Sequence, residues 1–392
     1  MGAPIVHGDV DQGYGVVADA FRANFADRGE LGAAVAVHRD GRLVVDLWGG
    51  HRDRQGTQPW ERDTLVTVWS TTKGMSATAM GIAHARGLFR LDDAVALHWP
   101  EFAQRGKGGI TVRQLLDHEA GLPVVDVALD LATVGDPERL GPILAAQAPR
   151  WSPGTAHGYH AQTLGWYESQ LLRRVDPLGR TVGRFFADEV AAPLGVELHI
   201  GLPPSIGPDR LATFVGGSRA GQALHARQVP WPVLRRMMNP RSDTFKAFTN
   251  PRALTKLPDI NRRELLDIEL PSVNGTGTAR AIASVYGDLA TGGRALGVDR
   301  ATLDEIERPV EPSFDRIFGI DSAFAFGFMK PFPILPFGSS PRAFGHTGSG
   351  GSFGYADPDA GLGYAYVMNR AGYALPTDPR EIEVRSALER AR

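Results

Sequence analysis

Cysteine is absent from this 392-residue chain, and lysine is scarce, with only five residues. The lack of cysteine excludes disulfide bonds and cysteine-ligated metal sites. No apolar run reaches the 18 residues that a membrane-spanning helix needs. The first residues carry neither the basic segment nor the apolar segment of a secretory signal. We therefore expect a cytoplasmic protein that does not enter the membrane.

An excess of charge of either sign is missing as well. The net charge is -2 at pH 7, and the basic residues are mostly arginines scattered along the chain. Because nucleic acids and anionic membranes are bound by concentrated positive charge, we expect neither as a partner. The 11 histidines are dispersed, and His157 and His160 lack the helical His-Glu-x-x-His context of a zinc site. No phosphate-binding glycine loop joins a strand to a helix, so no metal or cofactor is expected.

Strand patterns concentrate toward the two ends of the chain. Residues 33–38 and 42–48 flank Asp40-Gly41, which predicts a β-hairpin. Further strand-like runs occupy 323–329, 343–348, 352–356 and 362–368. Helical spacing of apolar residues predicts helices over about 11–26, 279–289 and 379–389, and the chain from residue 74 to about 290 is mainly helical with proline- and glycine-rich loops.

This order predicts a sheet shared by the two chain ends. Strands need partners for their backbone groups, so the early and late strands should pair in one antiparallel sheet flanked by helices. The fold class we expect is α/β plus all-α. Residues 1–68 and 275–392 would form the α/β domain, and residues 69–274 would form a mainly helical region with long loops. The 43% of apolar residues is enough to fill a sizeable core.

Ser70 and Lys73 lie where the strand-like run 64–69 becomes a helix. Positions i and i+3 share one helix face, and a partly buried lysine whose charged form is disfavoured can accept the proton of a serine. Sixteen serines and five lysines would give roughly 0.2 such pairs by chance, and this is the only one. The pair predicts a covalent serine enzyme. The structural alternative is a helix-capping serine followed by a solvated lysine.

Two later segments bear on that choice. A Pro-Gly turn at 153–154 leads to Tyr159 just ahead of a helical run. The strand-like segment that contains His346 ends in glycines, which let a ligand approach the backbone closely. Each residue taken alone also fits a packing role, Tyr159 as a core aromatic and His346 as a buried strand residue.

Together, Ser70 to Lys73, Tyr159 and the His346 segment resemble the three motifs of the serine β-lactamase and penicillin-binding-protein superfamily. The chain looks most like the family VIII carboxylesterases, which are related to class C β-lactamases. The stretches 115–123 and 193–195 add to a similarity that extends from about residue 30 to 370. The resemblance implies a β-lactamase-like fold and a small-molecule ester as substrate, and it leaves the oligomeric state open.

The resemblance also implies roles for individual residues. Ser70 would be the nucleophile, with Lys73 and Tyr159 as a general-base pair. The backbone N–H groups of Ser70 and Ser349 would form an oxyanion hole, which requires donors about 3 Å from the developing negative charge. An acyl-enzyme would form on Ser70 and then be hydrolysed.

Two departures from the lactamase pattern concern the substrate. Ala161 replaces the asparagine of the second motif, and His346, Thr347 and Gly348 replace the Lys-Thr-Gly of the third. The segment 346–348 would bind substrate with a mostly neutral imidazole instead of a fixed cation, which favours neutral esters over anionic lactams. Aromatic candidates for an acyl or alcohol pocket, or for the core, are Trp231, Phe337 and Phe353.

Other interpretations remain open at this stage. The same residues could serve a β-lactamase, a D-amino-acid peptidase or an acyltransferase, and a catalytically silent binding protein could keep the fold. The segment 350–354 also matches the lipase Gly-x-Ser-x-Gly elbow, with Ser352 as nucleophile. That fold needs a histidine later in the chain, and none follows His346. We therefore expect these glycines to shape a turn beside the oxyanion hole.

Overall fold

The computed structural model describes residues 5–217, 225–254, 257–376 and 378–391. Its main feature is an eight-stranded antiparallel sheet with the order β1-β3-β2-β13-β12-β11-β10-β9. The strands, in chain order, are β1 (Val6–Val10), β2 (Gly32–Arg39), β3 (Arg42–Gly50), β4 (Val66–Thr67), β5 (Leu198–His199), β6 (Thr276–Gly277), β7 (Ser313–Phe314), β8 (Asp321–Ser322), β9 (Phe324–Ala325), β10 (Phe328–Met329), β11 (Phe344–Thr347), β12 (Phe353–Asp357) and β13 (Leu362–Met368).

The two chain ends meet in the middle of this sheet. Strand β2 pairs with β13 in a continuous antiparallel register from Arg39 opposite Leu362 to Ala33 opposite Met368. The predicted hairpin is present as β2 and β3, joined at Asp40-Gly41. The expected β-lactamase-like fold, with an antiparallel sheet built from both ends of the chain, is confirmed.

Helices cover both faces of the sheet and fill the region between its two halves. The α-helices are α1 (Gly15–Asp27), α2 (Thr72–Ala85), α3 (Val95–His98), α4 (Val112–Leu116), α5 (Leu131–Val134), α6 (Pro137–Ala146), α7 (Thr163–Val175), α8 (Val182–Phe186), α9 (Ala192–Leu194), α10 (Trp231–Met237), α11 (Asp243–Thr249), α12 (Arg263–Asp267), α13 (Ala279–Ala290), α14 (Arg300–Glu307) and α15 (Pro379–Arg390). Within the described residues, none of them is long and apolar enough to cross a bilayer.

The side chains of β13 point alternately to the two faces of the sheet, and they show which helices lie on each face. The hydroxyl of Tyr366 accepts a hydrogen bond from Asn24 of α1, so this side chain faces the packed pair α1 and α15. Gly363 faces α13, where an added Cβ would lie 2.2 Å from the backbone nitrogen of Gly287. The absence of a side chain at Gly363 therefore allows α13 to pack closely on the sheet.

Three predicted boundaries were wrong. Of the strand-like run 64–69, only Val66–Thr67 is a strand, and it belongs to a separate three-stranded sheet, β4-β6-β5. The run 323–329 is two short strands, because Phe326, with a φ of 54°, reverses the chain between them. Helix α1 begins at Gly15, since the Asp11 backbone N–H still donates to the Val44 carbonyl of β3.

Candidate active site

Ser70 lies in a tight 3₁₀ turn, Trp69–Thr71, immediately before α2. Trp69 adopts a left-handed φ of 51°, which costs on the order of 1–3 kcal/mol for a bulky residue. Surrounding backbone contacts hold this conformation: the Thr72 hydroxyl donates to the Trp69 carbonyl and accepts from the Gly275 N–H at 2.8 Å. The strained turn presents the half-buried Ser70 side chain beside the first turn of α2.

Lys73 is fully buried on α2, and its Nζ has three oxygen neighbours. Two are backbone carbonyls, Ala161 O at 2.7 Å and Ser272 O at 3.0 Å, and the third is Ser70 Oγ at 3.3 Å. A neutral amine has two N–H donors and one lone pair. Because carbonyl oxygens only accept, they take both N–H groups and leave the lone pair for the Ser70 hydroxyl.

The electrostatic surroundings of Lys73 favour this neutral form. Burial lowers the pKa of Lys73 to about 7, and the negative charge of Glu168 opposes part of that effect. Near neutral pH, a large fraction of the amine is therefore unprotonated and able to accept a proton. The lysine predicted from the Ser-x-x-Lys spacing is thus in contact with the predicted nucleophile.

Tyr159 lies beside this pair in an aromatic cage. Its ring stacks on Phe318, with centroids 4.7 Å apart, and on Phe324, with centroids 5.7 Å apart. The Lys73 Nζ is 4.8 Å from the centre of the same ring. Burial raises the pKa of Tyr159 well above its ordinary value, and a hydrogen bond with Ser70 offsets only part of the effect. The phenol therefore stays protonated over the physiological pH range.

Asp315 fixes the backbone on both sides of this stack. The carboxylate is fully buried and accepts the backbone N–H of Tyr159 at 3.1 and 3.2 Å. It also accepts the N–H groups of Ile317 and Phe318 and the Ser322 hydroxyl. One carboxylate thus sets the positions of Tyr159 and of the phenylalanine that packs on it.

The third motif brings His346 to the other side of Tyr159. His346 is buried on β11, with its ring centroid 5.8 Å from that of Tyr159. Its Nδ1 lies 2.7 Å from the Thr347 carbonyl and therefore donates, which leaves Nε2 as an acceptor. Burial, with a contribution from the nearby Lys73 charge, lowers the pKa of His346 to about 3. The imidazole is accordingly neutral at pH 7.

Gly348 ends β11 against the turn that carries the serine. An added Cβ at this position would lie 2.2 Å from both the Val68 carbonyl oxygen and Ser352 Oγ. The Ser352 hydroxyl donates to the same Val68 carbonyl at 2.7 Å and lies 3.0 Å from Thr71 Oγ1. Only glycine allows the strand to approach so closely, and Ser352 connects the two segments.

Two backbone donors remain at this junction. Ser349 follows Gly348 in a turn closed by the Gly351 N–H bond to the Gly348 carbonyl at 3.1 Å. Among the backbone–backbone hydrogen bonds outside helices and strands in the described part of the chain, none has the N–H of Ser70 or Ser349 as donor. An N–H group without an acceptor can donate to a developing oxyanion, and the assignment of these two groups stays a prediction.

Several sequence candidates lie elsewhere. Ser352, the serine of the lipase-like segment, is 2% exposed, and its hydroxyl donates to the Val68 carbonyl. Phe337 and Phe353 pack edge to face in the core, with centroids 5.1 Å apart, whereas Trp231 is 66% exposed. The aromatic side chains beside Tyr159 are Phe318 and Phe324, which no motif had marked.

The histidines of the second motif are engaged in hydrogen bonds. His157 contacts the hydroxyls of Ser313 and Ser322, and His160 accepts the Leu122 N–H at 2.9 Å. Among the residues that the structure describes, no three or more histidine or acidic side chains come together in a metal-binding arrangement.

Comparisons with known proteins show what the chain as a whole is similar to. The Beta-lactamase family model matches residues 17–389. The Esterase/beta-lactamase LipL of Mycobacterium tuberculosis is 36% identical over 375 residues, 93% of this chain and 83% of LipL. The crystal structure of a family VIII carboxylesterase is 36% identical and covers 99% of this chain and 100% of its own, with a TM-score of 0.87. A penicillin-binding-protein homologue from Caulobacter crescentus shows the same identity and coverage, with a TM-score of 0.86.

Proposed function

This chain belongs to the beta-lactamase family, and on that premise we propose that it hydrolyses small uncharged carboxylic esters through an acyl-enzyme on Ser70. The observation that carries the proposal is the Lys73 amine, whose two N–H groups are taken by the Ala161 and Ser272 carbonyls while Ser70 Oγ lies 3.3 Å away. Relatives named esterase and carboxylesterase support the reaction class.

Acylation follows from the protonation states of the two partners. Ser70 Oγ attacks the ester carbonyl as its proton passes to the Lys73 lone pair. The protonated phenol of Tyr159, next to both groups, donates a proton to the departing alkoxide and regains one from the Lys73 ammonium group. In this scheme, Lys73 is the proton acceptor of the pair and Tyr159 the relay that delivers the proton.

Deacylation uses the same groups in reverse. Water attacks the acyl-enzyme, its proton moves through Tyr159 and Lys73, and Ser70 recovers its hydrogen as the acid leaves. The N–H groups of Ser70 and Ser349 hold the oxyanion in both steps. Loss of one such donor typically costs about 10²–10³ in kcat.

The preference for uncharged esters comes from His346. A neutral imidazole provides no fixed positive charge for a substrate carboxylate. Ala161 contributes only its backbone carbonyl, which Lys73 already occupies, and offers no amide side chain to an acylamino group. The relative LipL is named both esterase and beta-lactamase. Hydrolysis of β-lactams is therefore the second candidate function, and we expect it to be much slower than ester hydrolysis.

The nucleophile is tested with two serine variants and a covalent probe. Ser70→Ala should reduce hydrolysis of p-nitrophenyl butyrate to background, whereas Ser352→Ala should keep a sizeable fraction because Ser352 only links Gly348 to Val68. A serine-reactive phosphonate, mapped by peptide mass, should label Ser70. Label on Ser352, with activity kept in Ser70→Ala, would instead favour a lipase-type elbow.

Selectivity separates an esterase from its relatives on the same residues. We expect kcat/KM for p-nitrophenyl butyrate to exceed that for a cephalosporin by orders of magnitude. The His346→Lys variant should improve turnover of the anionic cephalosporin more than turnover of the neutral ester. Equal efficiency of the parent protein on both substrates would contradict the proposal and give priority to a lactamase or peptidase function.

A further inference from the structure

Glu168, on α7, is a buried acid without a basic partner in direct contact. It is 0% exposed, and one carboxylate oxygen accepts the Ser76 hydroxyl at 2.5 Å. The other oxygen has no hydrogen-bond partner among the described residues. Glu381, an equally buried acid, is instead paired with Arg385 at 2.9 Å. Because an unpaired buried carboxyl is costly, its presence calls for a role.

The position of Glu168 relates it to the proposed proton acceptor. Ser76 follows Lys73 by three residues on α2, so the two side chains lie on one helix face. Among the described residues, the charge of Lys73 lowers the pKa of Glu168, and the charge of Glu168 raises that of Lys73. Along α2, the order is therefore Ser70, Lys73 and then Ser76 with its bound carboxyl.

We propose that Glu168 is a positioning residue for the acylation step, because its carboxylate, held by Ser76, stabilises the ammonium form that Lys73 adopts on taking the Ser70 proton. The inference rests on the proposed function, since it concerns the same proton transfer. A nearby anion favours the cationic form of an amine. Glu168 thus restores part of the basicity that burial removes from Lys73.

The rest of the cluster does not titrate in the same range. The other titratable groups that face Lys73 are His118, His160, His346 and Tyr159. Burial lowers the pKa of each histidine well below its ordinary value and raises that of the tyrosine, so burial favours the neutral form of all four. The pKa values of Lys73 and Glu168 are both shifted by burial to about 7. The pH profile between 5 and 9 therefore reports this pair.

The decisive variant is Glu168→Gln, which keeps the size of the side chain and an acceptor for Ser76 but removes the charge. Because the pKa of Glu168 is raised to about 7, the parental carboxyl is itself protonated at pH 5, and there the two proteins should have a similar kcat/KM for p-nitrophenyl butyrate. At pH 9 only the parent carries the carboxylate, so Lys73 is the weaker base in the variant and kcat/KM should be about threefold lower. The two profiles should therefore coincide at pH 5 and separate as the pH rises.

Two further variants separate this role from a structural one. Ser76→Ala keeps Glu168 but removes its hydrogen-bond donor, so the carboxyl protonates more readily and kcat/KM at pH 8 should fall toward that of Glu168→Gln, while the rate at pH 5 stays that of the parent. Glu381→Gln is the matched control, because it removes a buried acid on α15 that pairs with Arg385. It should lower the melting temperature and leave the shape of the pH profile unchanged.

The outcomes are distinguishable from a failure of the proposed function. Phosphonate labelling of Ser70 in the parent protein, with the parental rate at pH 8 to 9 kept in both Glu168→Gln and Ser76→Ala, overturns the role of Glu168 alone. An equal loss of rate at every pH, with a lower melting temperature, also overturns it. If Ser70 is not labelled in the parent, the proposed function itself fails.

Discussion

At the scale of single residues, burial changes the proton affinities of Lys73 and Tyr159 in opposite directions. It lowers the pKa of the amine to about 7 and raises that of the phenol above its ordinary value. A neutral amine beside a protonated phenol gives the site a proton acceptor and a proton donor without a permanent charge at either position. Three backbone or hydroxyl oxygens around Nζ then determine where the lone pair points.

This arrangement predicts the pH dependence of the parent protein. The neutral amine is the active form, so kcat/KM should rise with pH through about 7 and be lost as the pH falls below that value. No decline from tyrosine ionisation should appear up to pH 10, because burial keeps Tyr159 protonated. A profile measured with a neutral ester checks both limbs, and an acid limb near pH 4 would point to a carboxylate base.

The same pair predicts how substitutions combine. Lys73→Ala and Tyr159→Phe should each lower kcat by about 10²-fold or more, the scale of a lost acid–base group. The double variant should be little slower than either single variant, since the two residues act as one unit. Tyr159→Phe keeps the ring stacked on Phe318, so its melting temperature should stay close to that of the parent. If Tyr159→Phe hydrolysed the ester at the same rate as the parent, Tyr159 would have only a packing role.

At the scale of secondary-structure elements, the site depends on the contact between β11 and the 3₁₀ turn that carries Ser70. Gly348, directly after β11, reaches the turn, and Ser352, directly before β12, donates to the Val68 carbonyl. The backbone N–H of Ser349 is placed by this contact. The position of one donor of the proposed oxyanion hole is therefore a property of strand packing.

Gly348→Ala tests that dependence. A Cβ at 2.2 Å from the Val68 carbonyl must push β11 away from the turn, so we expect kcat for ester hydrolysis to fall by about 10²-fold, the scale of one lost oxyanion donor. Gly109→Ala is the matched control, because no atom lies within 4 Å of its added Cβ. The two variants should be compared in steady-state kinetics and in thermal melts. An unchanged kcat in Gly348→Ala would mean that the position of the proposed oxyanion donors does not depend on this contact.

The elements that sequence predicted well are those with a periodic pattern. The β2–β3 hairpin and β13 alternate or carry turn residues that specify them locally. The runs 64–69 and 323–329 were misjudged because Trp69 and Phe326 adopt a positive φ. Bulky residues adopt that conformation only when tertiary contacts impose it, and no local pattern records such contacts.

In the candidate site, the sequence predicted functional side chains but not the backbone groups that act with them. The motif spacing identified Ser70 and Lys73, which the structure places in contact. The carbonyls of Ala161 and Ser272 went unnoticed, because any residue type supplies a backbone oxygen. Phe318 was missed for a related reason: it lies in an irregular loop, and only the buried Asp315 carboxylate brings it against the tyrosine.

At the scale of the whole molecule, a buried ion cluster joins the two ends of the chain. Arg380, at the start of α15, pairs with Glu30 at 2.8 Å and with Asp378 at 2.7 Å. The Tyr366 hydroxyl, on β13, donates to the same glutamate at 2.5 Å. Glu30 and Arg380 are at most 5% exposed, so the cluster lies in the protein interior between α1, α15 and the sheet.

Removing one member of this cluster should destabilise the protein without changing its chemistry. Arg380→Ala leaves Glu30 buried and unpaired, and we expect a loss of about 3–5 kcal/mol in the free energy of unfolding, measured by denaturant titration. The acid limb of kcat/KM should stay where it is in the parent. Arg22→Ala, which breaks an exposed pair with Asp19, is the control and should barely change stability. Equal stability of both variants would contradict a structural role for the cluster.

The pairing of β2 with β13 and the bridge from Ser352 to Val68 join early and late parts of the chain. They therefore determine when the site can form during synthesis. The two ends of that bridge are 284 residues apart in the chain, which a ribosome covers in tens of seconds at about 5–20 residues per second. Throughout that interval, Ser70 has already been synthesised but lacks the strand that brings Ser349 to it. A nascent or prematurely terminated chain therefore carries Ser70 without Ser349, the second of the two proposed oxyanion donors, and we expect esterase activity only when translation is nearly complete.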